Sequence, residues 1–199
     1  MPQKLEKKRR VLELGFALGL ALTVLLTALA AHRRRVADRV CADTVRLHIL
    51  ANSDTLEDQL LKLQVRDAIL QALPDSVLQA GDTAEAEAAL RQALPALHLA
   101  AQRALYKAHS PQTARLRLEQ LDFAARDYGS FTLPGGRYTA LRVELGKGKG
   151  HNWFCVLYPA LCVSGAQAEY PTREENALVF GRYEVRLAVV DAVKNLLSS

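Results

Sequence analysis

The feature that most constrains this chain is the run of residues 11–31, VLELGFALGLALTVLLTALAA, in which Glu13 is the only charge. As a helix it would reach about 31 Å, which matches a bilayer hydrocarbon core of roughly 30 Å. Lys7-Lys8-Arg9-Arg10 precede it and Arg33-Arg34-Arg35 follow it. Bases at both ends of such a run mark membrane topology rather than a helix buried in a protein core. Residues 1–31 are therefore expected to be a signal peptide or signal anchor, with the membrane met through residues 11–31. Ala28-Leu29-Ala30 has the small-x-small form of a signal-peptidase site. The arginines after it oppose translocation and the run is long for a signal peptide, so cleaved and uncleaved forms both stay open. Five Lys/Arg and the α-amino group before the run, against four Arg shortly after it, slightly favour the N-terminus inside and the remainder outside. Gly15-x-x-x-Gly19 fits a helix-dimerisation face, a weak signal because Gly is common in membrane helices.

A length of 199 residues leaves room for this element and one modest domain. The formal net charge of +5 misleads. Nine of the 26 Lys and Arg, but three of the 21 acids, fall in residues 1–40, so residues 41–199 hold 17 bases against 18 acids. A nucleic-acid-binding domain needs a basic footprint of its own, and none is visible here.

Residues 32–43 are charged and short of large apolar side chains, as in a linker, and the domain is placed at residues 44–199. TVRLHIL at 44–50 alternates Val45, Leu47 and Ile49 with Arg46 and His48, the pattern of a half-buried strand. After the turn Ala51–Asp54 a helix is expected from Thr55 to Leu73, with Thr55 and Asp58 as a capping box and Asp58–Lys62 as an i,i+4 pair. Leu56, Leu60, Leu63 and Leu70 mark its apolar side, and Pro74 ends it. A second helix is predicted from Asp82 to His109, kinked or split at Pro95. Strands are predicted at 114–123, 137–145 and 153–158, with a flexible turn at Gly146–Gly150. Val185, Ala188, Val189, Ala192, Val193 and Leu196 trace one face of a terminal docked helix. The fold class is α+β: an N-terminal transmembrane or signal helix, then one small domain of order β-α-α-β-β-β-α.

The residues capable of chemistry are few. Cys155 and Cys162 suit a disulfide if the chain turns at Tyr158-Pro159, since extended they would lie more than about 20 Å apart and a bridge needs Cα atoms within about 7 Å. A bridge and two buried thiols both fit, and Cys41 is left over. His151, Asn152 and Cys155 contain the residue types of a cysteine hydrolase. Their i,i+4 spacing aligns side chains on a helix, however, whereas this segment reads as a strand. The histidines show no metal-ligand spacing, and Gly146–Gly150 lacks the form of a phosphate-binding loop. Trp153 suits either a partner anchor or a core residue.

Two stretches carry a resemblance. Val45–Asp54 (VRLHILANSD), with Glu57-Asp58-Gln59, Lys62 and Val65-Arg66-Asp67, and Leu133–Val143 (LPGGRYTALRV), followed by Gly148–Cys162 (GKGHNWFCVLYPALC), resemble the motifs of the stage II sporulation protein R family. The resemblance extends over roughly residues 44–198. This chain departs from the usual pattern at Phe154, where a second Trp is usual, at Tyr158 for Phe, and at Ala160 for a second Pro. The resemblance implies a non-enzymatic signalling protein of endospore formation, without cofactor or small-molecule substrate. Such a protein is made in the forespore and held at its membrane, or secreted into the space between the septal membranes. There it would activate a membrane-embedded sporulation aspartic protease that processes pro-sigma-E. Candidate partner contacts on the two motifs are His48, Asn52, His151, Asn152 and Trp153, which equally suit holding the motifs together. Two other classes stay open: an exported hydrolase acting on cell wall through Cys155 and His151, and a structural septal module.

Overall fold

The structure is a computed structural model that describes residues 2–161 and 170–181, and of residues 2–7 the backbone alone. Helix α1, Pro2–Ala42, contains the apolar run and continues without a break through the expected linker. Along the run the large side chains stand open, with Phe16 77% and Leu22 56% exposed. By length and composition this helix suffices to cross a bilayer. Its last turns behave differently: Val36, Val40 and Cys41 are buried against the domain. Three modest apolar residues among arginines do not declare an amphipathic helix. They become an interface only because the domain offers a surface to cover.

The domain follows as β1 (Val45–Leu50), α2 (Leu56–Gln71), α3 (Asp75–Leu78), α4 (Thr83–Lys107) and β2 (Ala114–Phe123). A short ribbon comes next, β3 (Arg126–Asp127) with β4 (Thr132–Leu133), then β5 (Gly136–Leu145), β6 (Asn152–Tyr158) and α5 (Arg173–Phe180). The main sheet has the order β2-β5-β1-β6. β1 runs parallel to β5 and antiparallel to β6, while β2 is antiparallel to β5. The fold is thus α+β with a mixed sheet, and the helices α2–α4 and strand β2 form the long crossover that a parallel β1–β5 pair requires.

Strand side chains alternate between faces, and the two faces are covered differently. The first meets the helices. Leu47, Ile49, Leu141, Val143, Cys155 and Leu157 pack with Leu61, Val65 and Ile69 of α2 and with Leu90, Leu97 and Leu105 of α4. The second face is covered at one end by a smaller cluster of Val40, Phe131, Leu133, Val156, Tyr170 and Val179. Here α5, opened by the reciprocal Thr172–Glu175 capping box, is tied to α1 through Arg39, which reaches Glu174 at 2.5 Å and the fully buried Glu175 at 3.1 Å.

Several local expectations change. The buried residues of α2 are Asp58, Leu61, Lys62, Val65 and Ile69, while Leu56 and Leu60 are 76% and 52% exposed. Leucines occur on both sides of this helix, so hydrophobicity alone does not select the face. The inward pull on Asp58 and Lys62, described below, does. Helix α4 is not split: it runs through Pro95. β1 is buried on both faces rather than half-buried. The ribbon β3–β4 and helices α3 and α5 are additions to the expected order. The expected terminal helix at 185–196 lies outside the described residues.

Candidate functional site

The two motif regions meet at the C-terminal end of β1. Helix α2 opens with Thr55 as N-cap, its hydroxyl accepting from the Asp58 amide. The Asp58 carboxylate does not pair with Lys62. It accepts from Asn52 Nδ2 at 2.9 Å and from Ser53 Oγ and Gln112 Nε2, each at 2.5 Å. These bonds, Ser53 foremost, hold the buried carboxyl below its usual range against the opposing cost of desolvation. Lys62 instead donates to Gln59 Oε1 and, at 2.9 Å, to the carbonyl of His151. Burial pushes its ammonium pKa down, with Asp54 opposing.

From the other side, the loop after β5 is fitted to this turn. Asn52 Oδ1 accepts from the Lys147 amide at 2.9 Å, and the Gly150 amide donates to Ala51 O at 2.8 Å. Gly146 has φ +55°, and a Cβ there would stand 2.4 Å from Asn52 Oδ1. A Cβ on Gly150 would stand 2.1 Å from Ser53 O. The glycines that suggest flexible spacing are therefore required by close approach. His151 completes the clamp: its amide and its Nδ1 both bond Asp54 Oδ1, which lowers the carboxyl pKa of Asp54.

On the second face, Arg46 is 1% exposed. Its guanidinium lies 4.1 Å over the Phe123 ring and 4.9 Å over Tyr138, and its Nη2 donates to Tyr128 Oη at 2.8 Å. His48, 9% exposed, stacks on Phe154 at 4.7 Å. Burial, reinforced by the charges of Arg142 and Arg46, pushes the His48 imidazole down to about 4, so it is neutral at pH 7. The register sets Arg117 opposite Arg142, Arg142 opposite His48, and His48 opposite Phe154. A row of four residues thus crosses all four strands. Arg126 lies over the far ring, 4.2 Å from the Phe154 centroid.

The five residues singled out from the sequence do not form one patch. Asn52 and His151 belong to the clamp between the two motifs. His48 belongs to the row, and Asn152, exposed opposite Leu50, shares that face. Trp153 points to the first face, where it packs against the core and lies under the Arg66 guanidinium at 5.1 Å. Cys155 and His151 form no dyad. Cys155 is disulfide-bonded and sealed in the core, while His151 is turned to Asp54. The proposed partner of Cys155, Cys162, lies outside the described residues. Cys41 is a free, buried thiol. Sequence inspection passed over Arg46, Arg117, Arg142 and Phe154. The signal available was an arginine on the polar alternate of each of three strands, Arg46, Arg117 and Arg142, which local periodicity assigns to solvent.

A family model described as "Stage II sporulation protein R" matches residues 41–168, from the last turn of α1 through the whole main sheet. The protein named "Stage II sporulation protein R" in Bacillus subtilis (strain 168) is 36% identical over 118 residues, which is 59% of this chain and 53% of that protein. The chain thus spans about half the length of this curated relative. No solved structure matches.

Proposed function

Taking as premise that this chain belongs to the stage II sporulation protein R family, we propose that it is an exported signalling protein of endospore formation. It acts without catalysis of its own, by activating a membrane-embedded aspartic protease that processes pro-sigma-E. It stands at the forespore membrane or in the space between the septal membranes, held or delivered there by α1. The observation that carries this reading is the family match over residues 41–168, a range that contains both sides of the clamp and the row on the second face. The way α1 enters the domain adds support, because a domain docked on its own apolar helix is presented at a membrane surface. Activation requires that the domain bind the active arrangement of the protease better than the inactive one.

The test is pro-sigma-E cleavage in a non-sporulating host that carries the candidate protease, its substrate and this protein, with and without residues 1–31. Cleavage that needs both the protein and its export segment is the expected result. Cleavage that proceeds without the protein, or its absence when all three are correctly placed, sinks the reading.

A further inference from the structure

Among the described residues, seven buried side-chain nitrogen or oxygen atoms lack a hydrogen-bond partner, and five of them belong to three residues of the second face: Arg46 Nε and Nη1, His48 Nδ1 and Nε2, and Arg142 Nε. Orphaned buried polar atoms are costly and call for a partner. Three of these are arginine donors, so the arginines of this face lack acceptors, while the His48 ring has the Asn152 side chain beside it. It also sets like charges side by side, because Arg117 stands directly opposite Arg142, an arrangement that is destabilising unless a counter-charge joins it. Arg142 is bridged to Glu119 at 3.4 Å and Glu144 at 2.6 Å, and Arg115 to Glu144 at 3.5 Å. Arg117 is exposed and has no ion pair among the described residues. Around this group lie the rings of Phe123 and Phe154, half-buried, and the exposed Arg126. Arginine and aromatic residues together are the composition that protein interfaces favour.

We propose that the row Arg117–Arg142–His48–Phe154 is a docking site for an acidic side chain, an Asp or Glu carboxylate, on a segment of the protein partner. This deepens, and rests on, the signalling reading above. A carboxylate lying along the row places its charge beside the exposed Arg117 and against the half-exposed Arg142 guanidinium, with Arg142 Nε and the His48 ring buried just behind that contact. Phe154 then offers an apolar wall to the stem of the acidic side chain. Glu119 and Glu144 on either side of Arg142 would repel a continuous anionic surface, such as a bilayer, and leave room for one localised negative group.

The binding test uses the full chain in phosphatidylcholine nanodiscs and follows the Arg142 Nε–H and His48 ring signals by NMR. The probe is the capped peptide acetyl-Gly-Glu-Glu-Gly-amide, with its Gln-Gln counterpart, inorganic phosphate and phosphatidylglycerol discs as the other arms. Saturable shifts are expected with the glutamate peptide alone. Affinity should fall by about tenfold or more in Arg117→Glu and stay unchanged in Arg103→Glu, an exposed site on α4. Absence of saturable shifts, or shifts indifferent to Arg117→Glu, overturns the proposal. Tighter binding of phosphate, or shifts driven by phosphatidylglycerol, overturns the choice of a carboxylate. In the processing assay, Arg117→Glu should lower cleavage by about tenfold while Arg103→Glu leaves it intact. If the wild type and Arg117→Glu process equally, the docking site falls and the signalling reading stands. If the wild type triggers no cleavage yet the peptide binds along the row, the signalling reading falls and the carboxylate site stands.

Discussion

The two faces of the main sheet share the same strands and obey different rules. On the helix-covered face the inward positions are mostly aliphatic, with Cys155, Trp153 and a Thr139 bonded to Glu87 of α4 among them, and the stabilisation is mainly burial of apolar area. On the opposite face, positions only one residue away along the same strands hold Arg46, His48 and Arg142, buried or half-buried, with orphaned nitrogens. A sheet needs one apolar face to fold. Once that is secured, the other can carry polar groups whose cost the first face offsets. The contrast separates what holds the domain together from what it can present to another molecule.

The sharpest way to break this contrast is on the helix face. Leu141→Ala empties a fully buried position and should cost about 3 kcal/mol, read as a lowered midpoint in thermal unfolding of the full chain in nanodiscs. A loss below about 1 kcal/mol would mean that this face is not the main source of stability. The second face has a pH signature. His48 has a folded-state pKa near 4 and an ordinary unfolded value near 6.5, so between these values the unfolded chain binds more protons. Stability is then full above about pH 6.5 and declines as pH falls toward 4, by up to about 3 kcal/mol. His48→Phe keeps the ring stack and should flatten the decline in that window; an equally steep decline in the variant would exclude His48 as its origin.

Where the two faces end together, at the clamp, Gly146→Ala should cost about 1–2 kcal/mol from its positive φ and the approach of Asn52. The loss should shrink in an Asn52→Ala background, and full additivity would show that the two residues do not meet. Arg46→Met should have the smallest effect, and in the opposite direction. It removes a buried guanidinium that has no carboxylate partner among the described residues and keeps an apolar stem, so stability should hold or rise by about 1 kcal/mol. A loss above about 2 kcal/mol would instead make the aromatic stack around Arg46 a principal stabiliser.

Much of the first face was legible in the sequence. Alternation at 45–50 and 137–145, the continuous apolar run 153–158 and the helix starts at Thr55 and Asp82 placed strands and helices within a residue or two of where they stand. The second face was not legible, because period-2 alternation assigns every other residue to solvent. Arg46 and His48 thus read as surface until the rings of Phe123, Tyr138 and Phe154, distant in sequence, cover them. The clamp was half legible. Its residues were marked by resemblance, but Asp58 was matched to Lys62 by helical spacing, whereas both turn away to atoms contributed by Asn52, Ser53, Gln112 and His151.

By itself the sequence determined the membrane-length apolar helix, the near-neutral α+β domain and the family, since each rests on local composition, periodicity or contiguous motifs. Tertiary structure alone decided that α1 runs on into the domain, that β1 lies between β5 and β6, and that arginines of β2 and β5 align with His48. These depend on which surfaces meet across long stretches of chain. Strand order and register are set by the packing of whole elements, and no local pattern encodes which side chain will stand opposite which.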